Sequence, residues 1–313
     1  MLLPDTLTQR SLADRLAPRI AREQEFARTG RKLRKKSWLF RHEKVWIRPL
    51  LRVALQVSGL YGRGLRNALS PVVRRLELSY PHLPEAFDGY TLLHLSDLHV
   101  DGIPSLPGAL APVLSKLDPD VCLITGDYRF EDHGPCDTVY GLMREIVEST
   151  PSRDGIFAIL GNHDIAEMAF GLEEIGIRML VNEAVEIRRG DESIWIAGLD
   201  DPFDYRCADL EGTFALVPDG AFKVLMVHTP ELYREAAAAN TALYLCGHTH
   251  AGQIQLPALG CVRHNCPCPK ELAHGHWRHG TMHGYTSAGV GCSALPVRYN
   301  CPPEIILIEL RRA

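Results

Sequence analysis

The sequence predicts an α/β layered fold, and two observations carry this prediction. From Tyr90 onward, short runs rich in β-branched and apolar residues alternate with polar segments and with stretches of helical periodicity. In addition, five of the predicted strands lead directly into a residue whose side chain can bind a metal ion. Sites in α/β folds gather where strand ends open into loops, so this regular placement itself indicates a functional site.

The predicted elements alternate along the chain. Strands are expected at Tyr90–Leu95, Val121–Thr125, Ile156–Leu160, Ser193–Ala197, Phe222–Val227, Leu243–Cys246 and Ile305–Leu310. Helices are expected at Leu106–Leu117, Val139–Val147 and Glu231–Ala239. A proline-containing linker from Tyr80 to Gly89 precedes the first strand, so we expect a helical, basic N-terminal extension over residues 1–88 and an α/β domain over residues 89–313.

The composition is that of a soluble globular protein, because 46% of the 313 residues are hydrophobic and 23% are charged. The nine cysteines are too few and too irregularly spaced for a disulfide scaffold. No basic head followed by an apolar core opens the sequence, so the expected location is the cytoplasm. Peripheral attachment to the inner face of the membrane is a further expectation.

Charge is unevenly distributed along the chain. Residues 1–75 contain 18 Lys and Arg against 5 Asp and Glu, whereas the remainder contains 16 against 33. A basic segment on an acidic body indicates an anionic surface as partner, which is either a membrane or a nucleic acid.

The segment Trp46–Arg66 has the pattern of a basic amphipathic helix. Its apolar stripe comprises Trp46, Leu50, Val53, Val57, Leu60 and Tyr61, and its basic side comprises Arg48, Arg52, Arg63 and Arg66. With the basic run before it, residues 31–66 are expected to lie on an anionic membrane surface. Docking of the stripe on the protein itself would give the same pattern and stays open. Nucleic acid is disfavoured, because no aromatic residues are interleaved with the charges to stack on bases.

Seven strand-end residues form the expected metal site. They are four imidazoles, two carboxylates and one amide: Asp97, His99, Asp127, Asn162, His228, His248 and His250. Mixed nitrogen and oxygen donors suit Mn, Fe, Zn or Co, and the absence of cysteine argues against a structural zinc site. Seven ligands suffice for two ions if one carboxylate bridges them. Two ions about 3.5–4 Å apart support in-line displacement at phosphorus.

The order of these motifs resembles the calcineurin-like metallophosphoesterase superfamily. Asp-x-His, Gly-Asp, Gly-Asn-His-Asp, a strand-terminal His and Gly-His-Thr-His follow one another between Leu92 and Gly252. The tail, which includes Pro296-Val297-Arg298, is similar to the bacterial branch of YkuE- and YaeI-type phosphohydrolases. The resemblance implies two packed mixed sheets flanked by helices, a four-layer αββα sandwich, with the site at the strand ends.

The resemblance also implies a role for each matching residue. One metal ion would be held by Asp97, His99 and His250, and the other by Asn162, His228 and His248, with Asp127 bridging both. His163 would stabilise the transition state or protonate the leaving group, which an imidazole does well near pH 7. Asp164 would either orient His163 or cap the following helix, and no role follows for Asp200 and Asp201. Arg129 is expected either to clamp a substrate phosphate or to lie on the surface.

Two features depart from the family pattern. Ala251 stands where relatives often have Gly, so the backbone there is less free. Cys261, Cys266 and Cys268, with His264 nearby, form either an additional zinc or redox site or a surface loop that contains cysteines.

The resulting functional expectation is a dinuclear metal-dependent phosphohydrolase in which a hydroxide held by both ions attacks phosphorus. A membrane-associated or lipid-linked substrate is expected. The alternatives are a soluble nucleotide or phosphodiester phosphodiesterase, a nuclease, and a non-catalytic scaffold. The residues do not identify the substrate, the metals or the oligomeric state.

Overall fold

The chain is described by a computed structural model over residues 10–29, 48–131, 134–256, 260–261 and 266–313. The α-helices within these ranges are α1 (Leu12–Thr29), α2 (Arg48–Val57), α3 (Leu60–Ala68), α4 (Leu106–Leu114), α5 (Asp137–Glu148), α6 (Glu167–Glu174), α7 (Leu210–Phe214) and α8 (Tyr233–Ala238). Single 3₁₀ turns lie at Glu85–Phe87, Val100–Gly102, Pro230–Leu232, His250–Gly252 and Lys270–Leu272.

Fourteen strands are present in the described ranges. They are β1 (Val72–Tyr80), β2 (Thr91–Leu95), β3 (Val121–Ile124), β4 (Ile156–Ala158), β5 (Arg178–Met179), β6 (Glu183–Arg189), β7 (Glu192–Gly198), β8 (Phe222–Met226), β9 (Leu243–Cys246), β10 (Gln255–Leu256), β11 (Gly260–Cys261), β12 (Gly275–His279), β13 (Met282–Thr286) and β14 (Glu304–Arg312). Every strand expected from the sequence is found, with boundaries shifted by three residues or fewer.

Two six-stranded mixed sheets form the body of the protein. The first has the order β1-β14-β2-β3-β4-β5, in which only β14 and β2 run antiparallel. The second has the order β12-β13-β9-β8-β7-β6, with four parallel strands between two antiparallel edges. The parallel strands β2, β3 and β4 of one sheet and β8 and β9 of the other lead into the expected metal ligands.

Alternation along the strands separates three apolar layers. Leu92 and Leu123 face the second sheet, where they pack with residues such as Val224. Leu93 and Leu95 point the other way and pack with side chains of α4, α5 and α6. A third cluster, which includes Tyr244 and Trp277, covers the outer face of the second sheet against α8. The expected four-layer αββα sandwich is confirmed, because each sheet buries both of its faces.

The N-terminal extension differs from the expectation in two places. Val72–Tyr80 forms strand β1 and pairs over its whole length with β14, so the expected helical character is wrong for these nine residues. This pairing buries Leu78 and Tyr80 in the core between the sheets.

The expected continuous helix in Trp46–Arg66 is also wrong. Gly59 adopts φ 72° between α2 and α3, and this left-handed conformation breaks the helix. Trp46 and the basic run Arg31–Lys36 lie outside the described residues. Within the described ranges, no helix has both the length and the apolar character needed to span a bilayer.

The expected helix Glu231–Ala239 begins as the 3₁₀ turn Pro230–Leu232 and continues as α8. This turn follows directly after the loop that carries His228.

Candidate metal centre

The loops that carry the expected ligands have an unusual backbone. Five of the seven residues adopt left-handed φ angles, which are unfavourable for residues other than glycine: Asp97 (52°), His99 (40°), Asp127 (59°), His248 (67°) and His250 (49°). Such conformations persist only where the surrounding structure enforces them, and they concentrate at functional sites. The strained loops all follow the C-terminal ends of strands in the middle of the two sheets.

The first group of ligand atoms comes from Asp97, His99 and His250. Their donor atoms lie within 4.8 Å of one another, and all three side chains are buried. The Nε2 atoms of His99 and His250 are 3.2 Å apart, and His250 Nε2 is 3.3 Å from Asp97 Oδ1. Converging ring nitrogens beside a carboxylate are the donor set of a divalent transition metal.

The second group comes from Asp127, His228 and His248, again within 4.8 Å. His228 Nε2 lies 3.3 Å from His248 Nδ1 and 3.1 Å from Asn162 Oδ1. The Oδ2 atom of Asp127 lies 3.4 Å from His228 Nε2 in this group and 3.6 Å from His99 Nε2 in the first. Asp127 therefore faces both groups through one oxygen atom.

Backbone carbonyls orient two of the imidazoles. His99 Nδ1 donates to the carbonyl of Arg129 (2.6 Å), and His228 Nδ1 donates to the carbonyl of Thr125 (2.7 Å). Because a carbonyl can only accept, each ring carries a proton on Nδ1 and points Nε2 into the cluster. Hydrogen bonds of this kind are the usual support of histidine ligands.

Charges within the cluster are strongly coupled. Burial disfavours the charged form of His228, but Asp127 outweighs it and raises the pKa of His228 to about 10. Burial likewise opposes the charge of Asp127, whose pKa is held well below its usual range by His228 and His163. Burial and the neighbouring His99 lower the pKa of His250 well below its ordinary value. Buried carboxylates need nearby positive charge, and divalent ions held by these residues would supply it. The donor set therefore fits two metal ions.

Two glycines allow the loops to approach one another. A Cβ atom on Gly161 would lie 2.2 Å from Asp127 Oδ1, and one on Gly247 would lie 2.0 Å from Ser96 Oγ. Any larger residue at either position would push a ligand loop away from the cluster.

His163 lies at the edge of the cluster and is partly exposed. Its ring is 4.9 Å from that of His99, and its backbone N–H donates to Asp127 Oδ1 (2.9 Å). Nδ1 donates to the carbonyl of Phe130 (2.8 Å), and this bond orients the ring. This placement suits a general acid or a stabiliser of negative charge.

Asp164 has neither of the two roles expected for it. Its carboxylate accepts hydrogen bonds from the backbone N–H groups of Asp127 (2.8 Å), Tyr128 (2.9 Å) and Gly161 (2.7 Å). These bonds fasten the loop after β3 to the loop after β4. Asp164 therefore fixes the relative positions of Asp127 and Asn162.

Arg129 is not a surface residue, because the residue is only 2% exposed. Its guanidinium donates to the carbonyl of Glu131 and to Cys136 Sγ, and its own carbonyl orients His99. The role in substrate binding expected for its side chain stays a prediction.

Some residues near the site were missed by the sequence analysis or left without a role. Arg298 is fully buried, donates to the carbonyls of Ala288, Gly289 and Gly291, and lies 3.5 Å from His250 Nδ1. Asp201 accepts from the backbone N–H groups of Phe203, Asp204 and Tyr205 and so shapes a loop beside the site.

That loop bounds a cavity of about 330 Å³ next to the second ligand group. The ring of Phe203 lies 4.5 Å from that of His248, and Arg206 and Glu231 also line the cavity. The space is of the size of a small ligand pocket.

Of the cysteine cluster, Cys266 is buried and Cys268 is half-buried, and their thiols hydrogen-bond to each other. His264 and the side chain of Cys261 lie outside the described residues. The zinc, redox and surface-loop interpretations all stay predictions.

Comparison with known proteins identifies the family. Residues 90–252 match the family model described as calcineurin-like phosphoesterase. The chain is 30% identical to the uncharacterized metallophosphoesterase YkuE of Bacillus subtilis over 244 residues, which cover 73% of this chain and 82% of YkuE. It is 28% identical to the phosphodiesterase YaeI of Escherichia coli over 235 residues, which cover 71% and 82% of the two chains.

These matches confirm the expected superfamily and its bacterial YkuE- and YaeI-type branch. Members act on phosphoesters with two divalent metal ions, and the two buried ligand groups can each hold one ion. The chain belongs to the calcineurin-like phosphoesterase family and is a metal-dependent phosphoester hydrolase.

Proposed function

We propose that the chain hydrolyses a phosphoester or phosphodiester of a membrane-associated or lipid-linked substrate at two adjacent metal ions. Asp97, His99 and His250 would hold one ion, and Asn162, His228 and His248 the other, with Asp127 shared. The observation that carries the proposal is Asp127 Oδ2, which lies within 3.6 Å of an imidazole nitrogen in each group. Bound divalent ions would supply an activated water and neutralise charge on the phosphate oxygens.

His163 has the proton-transfer role in this proposal. Its Nε2 would protonate the departing oxygen, while the bond from Nδ1 to the Phe130 carbonyl holds the ring in position. Asp127 accepts from the His163 backbone, so the acid and the shared ligand are set in a fixed relation. Phe203 and Arg206, in the wall of the cavity beside the second ligand group, would contact the substrate.

Helices α2 and α3 support the proposed membrane surface. Four stripe residues are exposed, namely Val57 (84%), Leu50 (72%), Val53 (53%) and Leu60 (42%), whereas Tyr61 is half-buried. Arg52 is also exposed, so that cationic and apolar side chains are both available to an anionic bilayer.

The stripe is anchored next to the metal centre. Arg298 donates its backbone N–H to the Gly64 carbonyl of α3 (3.0 Å), and its guanidinium lies beside His250. Tyr299 donates from its hydroxyl to the Leu60 carbonyl (2.7 Å). A bilayer bound by α2 would therefore lie close to the site, as a lipid-linked phosphate requires.

A soluble phosphodiester is the second candidate, favoured by the name of YaeI, a phosphodiesterase. The two candidates differ in where the substrate lies, while the chemistry at phosphorus is shared. A scaffold without activity is disfavoured, because all seven proposed ligands and His163 are present in the chain.

Two assays test the proposal. The purified protein loaded with Mn²⁺ is expected to hydrolyse bis-p-nitrophenyl phosphate, and absence of turnover with Mn²⁺, Fe²⁺ and Zn²⁺ would refute the catalytic claim. Vesicles rich in anionic lipid are expected to bind the protein in a salt-dependent manner. Binding to DNA without binding to vesicles would refute the membrane claim and favour a nuclease.

A further inference from the structure

Helix α1 is packed onto the metallophosphoesterase domain. Leu16 is fully buried in the cluster that also contains α4 and α6 side chains, and Arg15 forms an ion pair with Glu183 (2.9 Å). Arg19 is also fully buried, which is rare for an arginine. Burial of a charge is unfavourable unless the charge is paired and hydrogen-bonded, so Arg19 requires such partners.

Arg19 has partners on two different loops. Nη1 forms an ion pair with Asp200 Oδ1, in the loop after β7. Nη2 donates to the carbonyls of Gly161 (2.6 Å) and Asp164 (2.8 Å), in the loop after β4. The guanidinium also lies 3.8 Å from the centre of the Tyr205 ring. The planar guanidinium of arginine presents several N–H donors that can reach both loops at once, whereas the compact ammonium of lysine cannot.

Both loops touch the metal centre. The loop after β4 contains Asn162 and His163, and Asp164 fastens it to the backbone of Asp127. The loop after β7 continues to Phe203, which lies against His248. Tyr205 joins the two loops directly, because its hydroxyl donates to the Asp164 carbonyl (3.2 Å).

We propose that Arg19 is a positioning residue, through which helix α1 sets the two loops that carry Asn162, His163 and Phe203. The inference rests on the proposed function of these residues. It makes the N-terminal helix a part of the metal centre, although α1 lies more than 60 residues before the first matched residue of the family model. The positioning is expected to affect metal retention at the second group and turnover more than substrate affinity.

The test compares Arg19→Met with Arg22→Met in the full-length protein. Arg22 lies on the same helix, is 41% exposed and pairs with Glu25 of that helix, so it is a matched control. Three readouts are taken well below the melting temperature: metal content during titration with EDTA, kcat and KM for bis-p-nitrophenyl phosphate. For Arg19→Met we expect loss of the second ion at about tenfold lower EDTA and a kcat at least about tenfold lower, because supporting contacts contribute roughly that much. KM should change less than threefold.

Arg22→Met should match the wild type in all readouts. Arg19→Lys keeps the positive charge but lacks the planar guanidinium, so its metal retention and kcat should lie between those of wild type and Arg19→Met. If Arg19→Met does not fold, the same readouts on Arg19→Lys test the proposal. A lower melting temperature with unchanged metal retention and kcat would overturn the proposal. Metal retention is independent of turnover, so a wild type that retains two ions without hydrolysis would refute the proposed function and leave Arg19 testable.

Discussion

The ligand cluster, which consists of the seven expected metal ligands, and helix α2 differ in their burial. In the cluster, Asp97, His99 and His228 are almost completely buried, and each is held by further contacts. In α2, no residue is buried, and Leu50, Leu51, Val53 and Val57 are exposed. Under the proposed function the two regions would have separable tasks: the buried loops would hold the catalytic residues, whereas the exposed helix would bind the membrane surface. Substitutions in one region should therefore leave the other function unchanged.

Asp127→Asn should have the largest effect. The amide keeps the shape of the side chain but removes the charge that faces both ligand groups, so turnover of bis-p-nitrophenyl phosphate should fall on the order of a thousandfold. Steady-state kinetics on metal-loaded protein measure this. Asp137→Asn, on an exposed carboxylate at the start of α5, is the control and should be silent. Vesicle binding should be unchanged for both variants.

His163→Ala should lower kcat by about a hundredfold, in the range for loss of a general acid. Two metal ions per chain should remain bound, because His163 belongs to neither ligand group. Elemental analysis and kinetics on one preparation separate these effects. His279→Ala, at an exposed position in β12, serves as control. Wild-type turnover in His163→Ala would remove this residue from the mechanism.

Val57→Asp should weaken vesicle binding and leave hydrolysis unchanged, whereas Asp127→Asn should do the reverse. A valine side chain contributes roughly 1.5–3 kcal/mol when it leaves water, so binding to anionic vesicles should weaken about tenfold or more. Hydrolysis of the soluble ester should be unchanged. Leu216→Asp, at another exposed apolar residue (48%), controls for a general change in surface charge. Equal vesicle binding by Val57→Asp and wild type would contradict the proposed role of α2 in membrane binding.

Gly59→Ala should have the smallest effect. Its added methyl meets no atom within 4 Å, so the cost is only the left-handed backbone, about 1 kcal/mol. Because α2 buries nothing, the melting temperature of the body should not change, and vesicle binding should weaken about fivefold. Gly62→Ala, within α3, is the matched control and should not weaken binding. Loss of hydrolytic activity in Gly59→Ala would show that the two regions are coupled.

Much of the metal centre was predictable from the sequence, for a physical reason. Parallel strands place their C-terminal ends at one edge of a sheet, so Asp97, Asp127 and Asn162 had to meet once β2, β3 and β4 were recognised. The convergence of His228 and His248 on the same place followed from the resemblance to a family rather than from periodicity.

The contacts that support the site were not predictable. Arg19 and Asp200 are 181 positions apart, and the roles of Asp164 and Arg298 depend on backbone groups that no motif specifies. Strand β1 did have a signal, since Leu76, Leu78 and Tyr80 alternate with polar residues as in a half-buried strand. These residues were assigned to the extension instead, because they lead into the proline-containing linker from Tyr80 to Gly89.

Metal stoichiometry measured together with turnover tests the central claim most directly. Wild-type protein loaded with Mn²⁺ and freed of excess metal should contain two ions per chain and hydrolyse bis-p-nitrophenyl phosphate, and the Asp127→Asn variant should lose most of both properties. A wild type that is active with a single ion, or an Asp127→Asn variant that retains two ions and full turnover, would contradict a centre built on the shared carboxylate of Asp127.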